Sequence, residues 1–224
     1  MSTAPYPMPF TRIELCVLSV VQDRLSVLLG RREEAPFKGL WALPGGVLRI
    51  DLDGSLGDSA QRVAQERIGI RMPYLRQQCA VGGPGRDPRA SWSLSVIYRA
   101  FSTMQELDPK AGKRLDALRW APVEVAIADS ALAFDHQSII FKAVAEFRAE
   151  VERLDIPFDA LPAEFTLAEL QSACEVLVGR TLDKSSFRRR LDDSQILEMV
   201  EGAFKRGAYR PAQLYRRRDS AKSA

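Results

Sequence analysis

The stretch from Leu43 to Ile70 carries the residue types and spacings closest to catalytic chemistry. It opens on Leu43-Pro44-Gly45-Gly46, a turn whose glycines let another backbone or a ligand approach where a side chain would block it. It ends on Arg62-Val63-Ala64-Gln65-Glu66-Arg67-Ile68-Gly69-Ile70, a helical pattern stopped by glycine. Residues i, i+3 and i+4 share one helical face, so positions 63, 66 and 67 are expected to form a single patch. Carboxylates clustered there would hold Mg²⁺, which takes hard oxygen ligands, and the ion would polarise a phosphoryl oxygen and generate hydroxide. This patch instead offers one carboxylate, Glu66, beside a valine and a guanidinium. Arg67 is expected to put a fixed positive charge where the cations would sit, and no catalytic metal cluster is expected on this face.

Together with Trp41-Ala42 ahead of it, the stretch resembles the Nudix box, whose pattern is G, five residues, E, seven residues, then R-E-aliphatic-x-E-E-x-G-aliphatic. Arg62, Glu66, Gly69 and Ile70 match that pattern. Val63 and Arg67 stand where the family carries glutamates, Gly54 falls at the place of the upstream one, and the stretch from Gly46 to Arg62 is two residues longer. Three of the four carboxylates are missing. The resemblance implies the fold of a pyrophosphatase that has lost its metal site.

The elements that must position these residues form two parts. A chain of 224 residues, 46% of them hydrophobic, can bury a proper core and divide into two domains. The net charge of +3 is uninformative, but its distribution is not. From Val178 to Ala224 there are 12 Lys+Arg against 6 Asp+Glu, or +6, which leaves −3 for the rest. A basic tail on a mildly acidic body points to nucleic acid or an acidic membrane, with a merely solvated face as the alternative. Cys16, Cys79 and Cys174 form no C-x-x-C pair and His136 is the single histidine, which indicates neither zinc nor a disulfide framework. Residues 1–10 lack a charged-then-apolar signal, and the apolar run Ile13 to Val21 is too short to span a bilayer. The expectation is a soluble cytoplasmic protein with no membrane partner.

Along the chain, Ile13 to Val21 and Leu25 to Leu29 read as strands around a tight turn at Gln22-Asp23-Arg24. Arg31 to Lys38 has loop chemistry, Ser55 to Ile68 is the helix of the box, and Gly82 to Arg89 is a loop. Leu94 to Phe101 and Leu118 to Trp120 are further strands, which gives an α/β/α sandwich or an α+β layer. His136 to Leu154 is the clearest helix, with an apolar stripe of Ile140, Val144, Phe147, Val151 and Leu154. That stripe suits core packing or a dimer seam. Asp155 to Pro162 breaks the pattern with two prolines, so the domains are set at 1–156 and 157–224.

After the boundary, Thr166-Leu167-Ala168-Glu169 is a capping box opening a helix through about Leu177, and Asp183 N-caps a second helix, Lys184 to Leu191. Ile196 to Val200 reads as a strand, Glu201 to Tyr209 as a glycine-containing hairpin and Arg210 to Arg216 as the return strand. Helix, turn, helix and hairpin make a winged helix. Its second helix suits a major groove, with Lys184, Ser185, Ser186, Arg188 and Arg189 as the reading or phosphate-holding residues. Phe187 and Leu191 are left to pack, and Lys205, Arg206, Tyr209 and Arg210 form a basic wing.

The two halves together resemble the Nudix-related transcriptional regulators (NrtR-like), through Trp41 to Gly46, Asp87-Pro88-Arg89, Ala133-Phe134-Asp135-His136, Leu182-Asp183-Lys184, Phe187-Arg188-Arg189 and Arg210 to Arg216. The resemblance implies a homodimeric repressor of NAD-metabolism genes that binds double-stranded DNA and senses ADP-ribose or a related nucleotide, with no cofactor and no catalytic residue. It implies a pocket between the Pro44-Gly45-Gly46 turn and the loop ending at Arg89. Arg32, Arg86 and Arg89 are the candidates for a diphosphate, whose geometry guanidinium forks match, with Gly45, Gly46 and Asp87 around them. Phe37 or Trp41 would stack adenine or serve the core, and His136 would cap, pack or touch ligand. A Nudix hydrolase with an odd metal site and an adaptor whose winged helix binds protein are the competing readings.

Overall fold

The structure, a computed structural model, describes residues 8–102, 107–158, 161–205 and 211–218. The chain divides into two units, Met1–Val21 with Leu25–Ala145, and Gln22–Arg24 with Glu146–Ala224. The division falls within the third helix.

The first unit is built on a mixed sheet. β1 (Phe10–Val21) and β2 (Arg24–Arg32) are joined by a turn in which Gln22 and Asp23 take φ of 49° and 57°, the positive values a two-residue hairpin requires. β3 (Trp41–Ala42), β4 (Gly45–Val47), β5 (Arg76–Pro84), β6 (Trp92–Phe101) and β7 (Leu115–Pro122) complete a seven-stranded sheet of order β3-β2-β1-β6-β5, with β4 on β1 and β7 on β2. β1 runs parallel to β6 and antiparallel to β4, which brings Glu14 opposite Gly45 and Ile13 opposite Gly46.

Strand alternation sorts β1 into two faces. Ile13, Leu15 and Val17 pack with Ala60, Val63, Ala64 and Ile68 of helix α1 (Leu56–Ile68), all of them fully buried. The spacing of those four helix residues is the apolar stripe of a surface helix. Ser55 caps α1 by accepting from the Asp58 N–H, and Gly69 closes it at φ 71°, a left-handed conformation that favours glycine. Arg12 and Glu14 lie on the opposite face of β1, toward the start of helix α3 (His136–Glu152). A short helix α2 (Val123–Ala128) follows β7. The stripe of α3 is spent on core: Ile140, Val144, Phe147 and Val151 are at most 3% exposed within one chain, so it does not supply a free dimer seam.

The second unit contains helices α4 (Leu167–Val178) and α5 (Lys184–Ser194) and a small sheet of order β8-β10-β9. β8 is Phe165–Thr166, β9 Leu197–Lys205 and β10 Ala212–Arg217. Two helices and a three-stranded sheet are the winged-helix arrangement expected. Three details depart from expectation. β9 runs unbroken through Gly202 to Lys205 where a hairpin was expected from Glu201, because pairing with β10 continues to Ala212 opposite Lys205. β5 pairs with β6 along a stretch expected to be partly loop, and α2 had no sequence signal strong enough to be read.

Candidate functional site

On the Arg12–Glu14 face of β1 the first unit gathers an unusual density of guanidinium groups. Arg12, Arg32, Arg67, Arg89 and Arg114 line one cavity, together with Gly45 and Glu34. An adjoining cavity is lined by Glu14, Arg86, Asp87, Ser93, Asp135 and His136. Phe134 lies at the junction, its ring 4.9 Å from the Arg32 guanidinium and 5.8 Å from those of Arg12 and Arg89, within reach of cation–π attraction. Its φ of 58° is left-handed without glycine, which costs backbone energy for an aromatic residue. The Ala133 N–H, donating to the Trp41 carbonyl at 2.9 Å, holds the segment in place.

The expected site residues reach this region unequally. Arg86 is engaged in a fork to Asp135, at 2.7 and 2.8 Å, and donates to the Val81 carbonyl. Asp87, 3% exposed, accepts from Arg89 through both carboxylate oxygens. Burial alone would raise the Asp87 pKa, but the hydrogen bonds and charge of Arg89 and the charge of Arg12 outweigh it and hold the group below its usual range. Arg89 sits over the Phe10 ring at 5.1 Å. Phe37 packs edge-on against Phe134 at 4.7 Å and is 39% exposed. Trp41 lines neither cavity; it lies on β3 under the Arg119 guanidinium at 4.3 Å. Gly45 permits the closest approach in the site, since a Cβ there would meet a Glu14 carboxylate oxygen at 1.7 Å. A Cβ on Gly46 would meet Val63 Cγ2 at 2.7 Å.

Sequence reading missed Arg12 and Glu14, a buried ion pair at 2.8 Å. Their signal was present: two charges at i and i+2 inside an apolar strand occupy one face of it. Glu14 Oε2 and Ser93 Oγ are buried without a hydrogen-bond partner. His136 is 2% exposed; its Nδ1 accepts from the Leu43 N–H at 2.9 Å and its Nε2 lies 3.9 Å from Glu14. Burial pushes its pKa down, partly offset by the Glu14 charge.

The patch expected at positions 63, 66 and 67 is divided. Val63 points into the core, fully buried. Glu66 is flanked by Arg62 at 3.4 Å and Lys113 at 3.5 Å. The Arg67 guanidinium, on a residue 7% exposed, donates to the Gly45 carbonyl at 2.8 Å and the Lys113 carbonyl at 2.7 Å. Arg62 forks onto Asp53 at 2.7 and 2.8 Å and also reaches the Val47 carbonyl, tying α1 to the loop before it. No group of three or more His, Cys, Asp or Glu able to hold a metal occurs among the described residues. A divalent cation, which asks for several oxygen ligands, does not fit this set.

In the second unit Thr166 and Glu169 form the expected capping box, and Asp183 caps α5 by accepting from the Ser186 N–H at 2.8 Å. α5 buries Phe187 and Leu191 and leaves Lys184, Ser185, Arg188 and Arg189 exposed, with Ser186 half-buried. Neither Arg188 nor Arg189 has an ion-pair partner among the described residues, whereas Arg190 donates to the Glu152 carbonyl. Lys205 is drawn into a salt bridge with Glu169. Arg206, Tyr209 and Arg210 lie outside the described residues. Among the described residues no helix is long and apolar enough to cross a membrane.

Comparison with known proteins matches both units. A Nudix domain model covers residues 11–143, and a model of the NrtR DNA-binding winged helix domain covers 157–217. The chain is 36% identical to an ADPR responsive transcriptional repressor of Acinetobacter baylyi, over 94% of this chain and 83% of that one. It is similar to Shewanella oneidensis NrtR complexed with a 27mer DNA, with a TM-score of 0.73 and 32% identity over 93% of each chain. It is also similar to the Nudix domain of that regulator complexed with ADP ribose, with a TM-score of 0.59 and 29% identity over 64% of this chain and 93% of that one. A Nudix domain joined in one chain to an NrtR-type winged helix, with a 36% identical repressor matched over 94% of the chain, places it in the NrtR family of Nudix-related transcriptional regulators.

Proposed function

We propose that the protein is a repressor that binds duplex DNA through its winged helix and changes its DNA affinity when ADP-ribose or a related nucleotide enters the arginine-lined cavity. The observation that carries this is the coexistence in one chain of that cavity and the exposed Lys184, Arg188 and Arg189 face of α5. The reported ligands of the Shewanella regulator, DNA and ADP ribose, support the same pair of partners here. We extend the proposal to a homodimer in the cytoplasm acting on NAD-metabolism genes, with 1–156 sensing the nucleotide and 157–224 holding the DNA.

On this reading the Nudix fold recognises and does not hydrolyse. A lone Glu66 between Arg62 and Lys113 is a poor generator of metal hydroxide. The test is direct: purified protein with ADP-ribose and Mg²⁺ or Mn²⁺ should release no AMP or ribose phosphate. Turnover abolished in Glu66→Gln would establish a hydrolase instead.

A further inference from the structure

Resting on the nucleotide reading above, we propose that Arg67 acts as a built-in cation, so that the cavity binds the diphosphate through Arg67 and Arg32 without any divalent metal. Three observations converge on these two residues. First, both line the same cavity. Second, neither has an ion-pair partner among the described residues: Arg67 donates to the carbonyls of Gly45 and Lys113, and Arg32 to those of Pro36 and Glu34. The neighbouring arginines differ, since Arg12, Arg89 and Arg114 are paired with Glu14, Asp87 and Glu34. Third, burial and like charges outweigh the nearby carboxylates at both: burial, then Arg114, lowers the pKa of Arg67 against Glu66, and burial, then Arg12 and Arg89, lowers that of Arg32 against Glu14 and Asp87.

The carbonyl contacts of Arg67 brace it as a donor fork and cancel no charge, so the guanidinium keeps its positive charge at the cavity wall that Gly45 also lines. A metal-dependent site neutralises a diphosphate with ions drawn from solvent. Here the neutralising charge belongs to the chain, and an added divalent cation would be repelled by it. A chelator should therefore not weaken binding.

Isothermal titration of the full chain, with inorganic pyrophosphate and ADP-ribose as separate titrants, in chelator and then in excess Mg²⁺, tests this. The expected result is binding in chelator at least as tight as in excess Mg²⁺, which competes for the diphosphate, and a loss of about tenfold in each of Arg67→Gln and Arg32→Gln, the scale of one charged hydrogen bond. Binding that Mg²⁺ strengthens tenfold or more overturns the proposal. So does a loss confined to Arg67→Gln and accompanied by a lower melting temperature, because that residue also braces Gly45 and Lys113 while Arg32 does not. Metal-free binding of pyrophosphate without ADP-ribose would leave the anion site standing and remove the nucleotide reading. Metal-free binding of ADP-ribose unaffected by either substitution would do the reverse.

Discussion

At the scale of single residues, His136 offers a clean reporter because it is the chain's single histidine. Its Nδ1 accepts a backbone N–H and the ring is buried, so the folded state prefers it neutral and its pKa is lowered. An unfolded chain takes up this proton near the ordinary value of about 6.5, and the folded chain resists until the pH is lower. Stability should therefore fall as pH drops below about 6.5. Denaturant midpoints measured between neutral and mildly acidic pH should show this slope, and His136→Gln should flatten it. Gly45 makes a second prediction. Alanine there must displace the Glu14 carboxylate from its pair with Arg12, an overpacking cost of about 1–3 kcal/mol visible in urea unfolding. The sequence announced Gly45, because a proline–glycine–glycine turn has little other use. Arg12 and Glu14 were legible as two charges on one face of an apolar strand, but their place beside Gly45 and His136 was not, because those neighbours come from distant parts of the chain.

Elements with local signals were legible and elements defined by partners were not. The α4 capping box and the α5 cap are each written in four consecutive residues, and both form. Thr166→Ala should cost about 1 kcal/mol in thermal or urea unfolding of the winged-helix unit. It should also release Glu169, which the box and Lys205 share. β5, by contrast, reads Arg76-Gln77-Gln78 at one end and Gly82-Gly83-Pro84 at the other, a composition with little strand preference. It is a strand because β6 beside it offers an open ladder. Extension of β9 through Gly202 has the same origin, since pairing across a sheet overrides a local turn signal. The apolar stripe of α3 marked a buried face correctly without revealing what buries it.

For the whole molecule, the asymmetry of charge between the two parts predicts how each responds to salt. Binding of duplex DNA should weaken steeply with salt as phosphates are neutralised. Arg188→Ala and Arg189→Ala should each lower duplex affinity by about 1–3 kcal/mol and leave ADP-ribose binding unchanged, as judged by anisotropy and calorimetry on the same preparations. Unchanged duplex affinity in both variants would move the DNA face away from α5. Coupling between the parts is a separate matter: a ligand shifts DNA affinity only if it binds the DNA-competent and DNA-incompetent arrangements unequally. The most direct measurement is fluorescence anisotropy of the wild-type chain on a duplex selected from its own genome, repeated with saturating ADP-ribose in chelator. The account predicts a change in apparent Kd of about fivefold or more, the lower bound of typical allosteric coupling. An identical Kd with the cavity demonstrably filled would contradict it.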